Sequence, residues 1–96
     1  MAEPLTLDAV LEDLQAIEPL ILNYEKTYKV LTPYFVKLYR AGKLEENWDF
    51  IDWAGLYEIK LRREKAYREL LALSLRRLPL KEELTDERLV AVAEAA

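Results

Sequence analysis

The chain has 96 residues, 52% of them hydrophobic, which is enough for one small domain with its own core but not for two. It contains neither cysteine nor histidine, so disulfides, thiolate or imidazole metal ligands and the usual nucleophilic triads are excluded. The net charge is only -4, which argues against strong non-specific attraction to nucleic acid.

The composition favours helices. Leu, Ala, Glu, Lys and Arg dominate, with only two glycines and four prolines, and no run alternates as a half-buried strand does. We expect an all-α fold, an elongated bundle of three to four helices that forms a dimeric bundle. The expected helices span approximately 7–31, 33–41, 45–78 and 86–95. Residues 1–96 form a single domain in this interpretation, with 79–96 as a flexible or docking C-terminal segment.

The first predicted helix carries an apolar seam with spacings of three and four residues. Its members are Leu7, Val10, Leu14, Ile17, Ile21, Tyr24, Tyr28 and Leu31. A 3.5-residue repeat of this kind keeps one face toward a neighbouring helix, as in a coiled coil. Thr6 is the predicted N-cap. Pro19 falls on the outer side, which favours one bent helix, and a break at Glu18 is the alternative.

A short second helix is predicted from the pair Thr32 and Pro33. Threonine is a good N-cap, and proline is well suited to the first helical position. Gly42 is the predicted end of this helix, because glycine readily adopts the left-handed conformation that follows a helix.

The third helix is predicted to open between Leu44 and Asn47 and to end before Pro79. Thirty or so residues make about 45 Å of helix, whereas a compact domain of this length has a diameter of about 32 Å. The molecule is therefore expected to be elongated, or this helix to bend near Gly55.

The C-terminal part of the third predicted helix is apolar over a wide arc. The apolar residues are Ala66, Tyr67, Leu70, Leu71, Leu73, Leu75 and Leu78. They cover about 200° of the helical wheel, roughly twice the stripe of an ordinary surface helix. A homodimer is the preferred way to cover this arc, and coverage by the first two helices together is the alternative. Thr85 then caps a last helix, which docks on the bundle or binds another protein.

The charges come in blocks of alternating sign. Residues 1–25 carry six acids and no base, residues 26–43 five bases and no acid, and residues 44–58 five acids and no base. Residues 60–77 carry seven bases and two acids. In antiparallel helices such blocks lie opposite their complements and help to fix the register. Scarce Asn and Gln beside many charges are also typical of thermophile proteins.

The aromatic cluster at the start of the third helix is the preferred candidate for a binding surface. Its apolar residues flank both sides of an acidic stripe, so they cannot all face one neighbour, and Trp and Tyr contribute disproportionately to interfaces. The interface candidates are Trp48, Phe50, Ile51, Trp53, Tyr57, Leu89 and Val92. The alternative is that the rings cap the core at the turn between helices two and three.

A basic stretch offers an alternative, nucleic-acid-binding interpretation. Its members are Lys60, Arg62, Arg63, Lys65, Arg68, Arg76 and Arg77. These side chains could hold a phosphate backbone while nearby tyrosines stack on bases. Glu64 and Glu69 instead provide the i, i+4 partners that are typical of a solvent-facing helix.

Carboxylates are the remaining candidates for chemistry. Glu45, Asp49 and Asp52 fall at i, i+4 and i+7 of a helix, close enough to share a magnesium ion. The run from Glu45 to Asp49 (E-E-N-W-D), followed by Glu83 and Asp86, resembles the E-E-x-x-E and E-x-x-D carboxylates of the all-helical MazG-type nucleotide pyrophosphatases. It departs from that pattern at Asp49 and in its longer gap. The resemblance implies a magnesium-dependent nucleotide hydrolase that uses Glu45, Glu46, Asp49, Glu83 and Asp86.

The function we expect is that of a non-catalytic interaction and assembly subunit, not an enzyme, with no cofactor and no bound metal. Its partners are expected to be proteins, including a second copy of the chain, with nucleic acid as the alternative and no membrane. The start of the chain lacks the basic region of a signal peptide, and no apolar run reaches the roughly 18 to 20 residues that span a bilayer. A cytoplasmic location is therefore expected.

Overall fold

A computed structural model describes residues 5–95 of the protein. Regular structure in this range is entirely helical, which confirms the all-α prediction. The helices are α1 (Leu7–Tyr28), α2 (Thr32–Arg40), α3 (Trp48–Glu69), α4 (Leu71–Leu75) and α5 (Asp86–Glu94). None of them combines the length and the apolarity that a bilayer crossing requires.

Helix α1 begins and continues as predicted but ends early. The Thr6 hydroxyl accepts a hydrogen bond from the Ala9 amide at 3.1 Å, and the helix runs unbroken through the exposed Pro19. It ends at Tyr28 because Lys29 adopts the left-handed conformation, with φ 61°, while its N–H still donates to the Glu25 carbonyl. The predicted end at residue 31 is therefore wrong.

The apolar seam is the inward face of α1. Leu7, Val10, Ile17 and Ile21 are buried, and Leu14, Tyr24 and Tyr28 are half-buried. Leu31 is the exception at 62% exposure, because it lies beyond the helix and serves as the N-cap of α2.

Helix α3 lies antiparallel to α1 along this seam. Arg63 pairs with Asp13 at 2.7 Å, and Lys60 pairs with Glu18 at 3.3 Å. Positions later in α3 thus face positions earlier in α1. The acidic block of α1 therefore lies opposite bases of α3, as the charge pattern predicted for antiparallel helices.

Helix α2 packs against the N-terminal half of α3. Its N-cap is Leu31, not the predicted Thr32, since the Thr32 side chain turns into the protein. Gly42 follows the helix with φ 68°, as predicted. The Gly42 and Lys43 amides donate to the carbonyls of Tyr39 and Leu38, which satisfies two of the last carbonyls of the helix.

Helix α3 differs from the prediction at both ends. It starts at Trp48, not residue 45, because the Asn47 side chain accepts the Asp49 amide at 2.9 Å and acts as the N-cap. It also stops before residue 78: Leu70 has φ -106° and ψ 11°, outside the helical region. The helix continues through Gly55, the alternative place for a bend, and breaks at Leu70 instead, since a glycine permits a bend but does not impose one.

The last two helices pack on each other at the C-terminal end of α3. The Thr85 hydroxyl accepts the Arg88 amide at 3.2 Å, which confirms the predicted cap of α5. Arg76 pairs with Asp86 at 2.9 Å. Leu89 is the only buried residue of 70–95, so this unit has little core of its own.

The molecule is elongated, with extents of 53 × 37 × 21 Å and a radius of gyration of 16.9 Å. A compact domain of this length has a radius of gyration of about 12.5 Å. The chain exposes 7768 Å², whereas a compact monomer of 11.3 kDa exposes about 5,700 Å². Roughly 2,000 Å² more surface is therefore open to solvent than a globular chain of this mass would leave.

Candidate protein-docking surface

A stack of aromatic rings forms the main core where α1, α2 and α3 meet. Trp53 is fully buried, and the Phe35 ring lies parallel to it with centroids 3.7 Å apart. Tyr24 and Tyr28 of α1 stack against the same indole at 5.7 and 5.8 Å. This stack fixes the N-terminal half of α3 against its two neighbours, so a surface built on that half is well supported.

A chain of polar contacts runs through this core. The Trp53 indole N–H donates to the Thr32 hydroxyl at 3.0 Å, and that hydroxyl donates to the Glu25 carboxylate at 2.8 Å. The Thr32 amide donates to the same carboxylate oxygen at 2.8 Å. The N-cap Leu31 has no polar side chain that could accept a hydrogen bond from the first amides of α2. The Glu25 carboxylate of α1 accepts the Thr32 amide in its place.

Two tyrosine hydroxyls connect α1 to the acidic stripe of α3. Tyr24 donates to Asp52 and Tyr28 donates to Asp49, both at 2.6 Å. The hydrogen bond to Asp52, with desolvation and the nearby negative charges, raises the pKa of Tyr24 to about 12. The hydrogen bond to Asp49 raises the pKa of Tyr28 as well.

A groove lies on the outer side of this core, between α2 and the first turns of α3. Its larger part encloses about 480 Å³. The residues that line this part are Tyr39, Leu44, Glu45, Glu46, Asn47, Trp48 and Ile51. A smaller part of about 280 Å³ shares Tyr39 and Ile51 and continues to Arg40, Gly55 and Glu58. We call the two parts together the α2–α3 groove.

Trp48 is the most exposed large apolar side chain of residues 5–95, at 85%. The Asn47 cap places it in the first turn of α3, and Ile51 follows three residues later, on the same helical face, at 51% exposure. A large indole and an isoleucine are therefore exposed next to each other on one face of α3.

The predicted interface residues divide between core and surface. Trp53 lies in the core, and Phe50 and Tyr57 are half-buried against it. Trp48 and Ile51 are exposed at the groove. In α5, Leu89 is buried and Val92 is 65% exposed. The core-capping interpretation thus describes Trp53, Phe50 and Tyr57, whereas binding through the exposed Trp48, Ile51 and Val92 stays a prediction.

Some of the residues of the predicted basic stretch form ion pairs within the chain. Lys60, Arg63 and Arg76 form ion pairs with Glu18, Asp13 and Asp86. Arg62, Lys65, Arg68 and Arg77 form none of the ion pairs found within residues 5–95, and all four are exposed.

The predicted carboxylate cluster is not assembled. In the part of the chain that the structure describes, no group of three Asp or Glu residues is placed to hold a metal ion. Glu45 precedes the N-cap of α3, so the expected helical face shared with Asp49 and Asp52 does not form. Asp49 instead accepts the Tyr28 hydroxyl, and Asp86 accepts from Arg76.

Sequence reasoning missed Tyr39 and Leu44, which complete the groove, and the contact between the buried Thr32 and the half-buried Glu25. The i, i+3, i+4 spacing of Thr32, Phe35 and Val36 marks the inner face of α2 and could have indicated that Thr32 points inward. The long-range contact with Glu25 leaves no such local signal.

Comparison of the chain with protein-family models, curated proteins and solved structures gives no match.

Proposed function

We propose that the protein is a non-catalytic interaction and assembly subunit that docks a protein partner in the α2–α3 groove. The observation that carries this proposal is the 85% exposure of Trp48 beside the groove. Full burial of a large apolar side chain is worth about 1.5–3 kcal/mol. A partner that covers Trp48 gains this free energy without reorganising the fold beneath it.

The surroundings of Trp48 fit an interface anchor. Ile51, Leu44 and Tyr39 line the apolar part of the groove, and the carboxylates of Glu45 and Glu46 lie at its edge. Interfaces commonly place an aromatic anchor at the centre of such an apolar patch, with polar groups at the rim that exclude water. The acidic rim favours a partner surface that is apolar with basic residues.

The same proposal includes a homodimer and a cytoplasmic assembly. The excess surface of the single chain supports self-association. Cell fractionation tests the compartment. The nucleic-acid alternative draws less support, because Lys60, Arg63 and Arg76 direct their charge at carboxylates of the same chain.

Site-specific photo-crosslinking in the native cell tests the docking surface. One variant carries a photoreactive phenylalanine at Ile51, and the control carries it at Leu20, which is 52% exposed against 51% for Ile51 but lies outside the groove. We expect a crosslinked protein from position 51 and none from position 20. Equal crosslinking from both positions contradicts the proposal.

The captured partner is then purified and its affinity measured by calorimetry. Trp48→Ala is expected to raise Kd at least about 30-fold, as for an interface hot spot of about 2 kcal/mol. Leu20→Ala is the matched control and is expected to leave Kd unchanged. An unchanged Kd for Trp48→Ala shows that the groove is not the docking surface.

A further inference from the structure

We infer that the occupant of the α2–α3 groove is the α4 segment of a second copy of this chain, in an antiparallel two-fold dimer. The inference rests on the proposed function, since it takes the groove as a docking surface and names what fills it. The docking segment is residues 70–81, which comprises α4 and the turn after it, and we call it the C-terminal ridge.

The C-terminal ridge presents apolar side chains without a neighbour to cover them. Leu73, Leu78 and Leu80 are 57%, 58% and 38% exposed. Helix α4 contains no buried residue. A segment this apolar gains stability when a second surface removes it from water.

The charges of the ridge and the groove are complementary. Residues 70–81 carry three bases and no acid, whereas residues 44–58 carry five acids and no base. Asp49 and Asp52 are occupied by tyrosine hydroxyls, which leaves Glu45, Glu46 and Glu58 along the groove. On the ridge, Arg76 is paired with Asp86, and the exposed Arg77 lies in the turn that follows α4. An apolar ridge with an arginine thus matches an apolar groove with an acidic rim.

The positions of the two surfaces suit a closed dimer. The groove lies at the N-terminal end of α3 and the ridge follows its C-terminal end, and the 22 residues of α3 make about 33 Å of helix. An antiparallel two-fold arrangement brings the groove of each copy against the ridge of the other. Both contacts form at once and no docking surface is left open, so association stops at two.

The exposed area is sufficient for such a dimer. Each chain exposes about 2,000 Å² more than a compact monomer of its mass. A stable interface buries about 800 Å² on each partner. Covering half of the excess on each copy would therefore reach the size of a stable dimer.

A charge-swap experiment tests the pairing of groove and ridge. Glu46→Lys changes the groove and Arg77→Glu changes the ridge, both at exposed positions. Each variant alone places like charges at both contacts of the dimer. We expect sedimentation to show a wild-type dimer below about 100 µM and a dimer Kd at least tenfold higher for each variant alone.

The decisive measurement is the dimer Kd of an equimolar mixture of Glu46→Lys and Arg77→Glu. In the mixed dimer one contact keeps the wild-type Glu46 and Arg77, and the other joins the new lysine to the new glutamate. We therefore expect the equimolar mixture to dimerise with a Kd within about threefold of wild type. Recovery in the mixture supports the pairing, and failure to recover overturns it. Near-UV circular dichroism, to which the packed aromatic rings around Trp53 contribute, verifies that each variant is folded.

An uncharged variant tests the ridge separately. Leu73→Ser is expected to raise the dimer Kd at least tenfold, while Leu22→Ser, at an exposed position of α1, leaves it unchanged. A dimer that is insensitive to Leu73→Ser overturns the inference. So does a wild-type monomer at about 100 µM. If that monomer still binds another protein through Trp48, the proposed function stands and only the identity of the occupant is wrong.

Discussion

Thr32 shows what a single hydroxyl does where three helices meet. It accepts the indole N–H of Trp53 from α3 and donates to the Glu25 carboxylate of α1, while its own backbone belongs to α2. The residue is 2% exposed, so water cannot replace either partner. Loss of the hydroxyl would leave a buried donor and part of a carboxylate unsatisfied.

Thr32→Val tests this contact, because valine has nearly the same shape without the hydroxyl. We expect the free energy of unfolding in urea to fall by about 1–3 kcal/mol. Thr32→Ser keeps the hydroxyl and should retain most of that contribution. A Thr32→Val variant that is as stable as the wild type, or that loses less stability than Thr32→Ser, would contradict the hydrogen-bond account.

The tyrosine and aspartate contacts predict a loss of stability at high pH. Because the pKa of Tyr24 rises from 10.0 to about 12 on folding, folding favours the protonated phenol. The resulting stability is fully present below pH 10 and is lost as the pH rises through 12. We expect the unfolding free energy of the wild type to fall more steeply across this window than that of Tyr24→Phe.

The control for this pH series is Tyr34→Phe, since the Tyr34 ring is 62% exposed. Its hydroxyl makes no side-chain hydrogen bond within residues 5–95. This variant should keep the wild-type slope. A Tyr24→Phe slope that equals the wild-type slope would contradict the role of the contact with Asp52.

At the residue scale, the sequence predicted contacts that local spacing determines. The caps Thr6 and Thr85 bond amides three residues away, and such short-range chemistry is visible in the sequence. Thr32 was assigned a cap because it precedes Pro33. Its actual partners lie 7 and 21 residues away, and no local pattern encodes them.

At the scale of elements, apolar periodicity predicted α1 and its buried face because that face packs along most of its length on one neighbour, α3. The same periodicity predicted the bounds of α3 wrongly, because the apolar residues of this helix lie on several of its sides. A continuous helical pattern through residue 70 concealed the break there, since Leu70 is itself a good helix former. The groove depends on the true start of α3 at Trp48, which the Asn47 cap determines.

The two glycines provide an internal comparison of helix and turn. Gly55 lies inside α3, and an added methyl group would contact no atom within 4 Å. Gly55→Ala is therefore expected to raise the unfolding free energy by about 0.5–1 kcal/mol. Gly42→Ala should lower it, because φ is +68° at that position. Urea denaturation of dilute protein measures both, and effects of the same sign would contradict the assigned backbone roles.

In the molecule as a whole, a small core accompanies a large exposed surface, because few of the apolar side chains are buried within one chain. Eight hydrophobic residues are buried within residues 5–95, while the chain exposes 7768 Å². Composition could predict helices and an apolar excess, but it could not say where the uncovered surface lies. That depends on how α2 and α4 are placed at opposite ends of α3, which long-range packing decides.

Quenching of Trp48 fluorescence by acrylamide tests the central claim, that the assembled protein covers the α2–α3 groove. Trp53 is 0% exposed and Trp48 is 85% exposed, so the quenchable emission of the dilute chain comes from Trp48. Subtraction of Trp48→Phe data isolates this signal. We expect the Trp48 quenching constant to fall at least about threefold when sedimentation shows the chain in its complex. A Trp48 signal that is quenched equally in the free and the assembled protein would contradict the account.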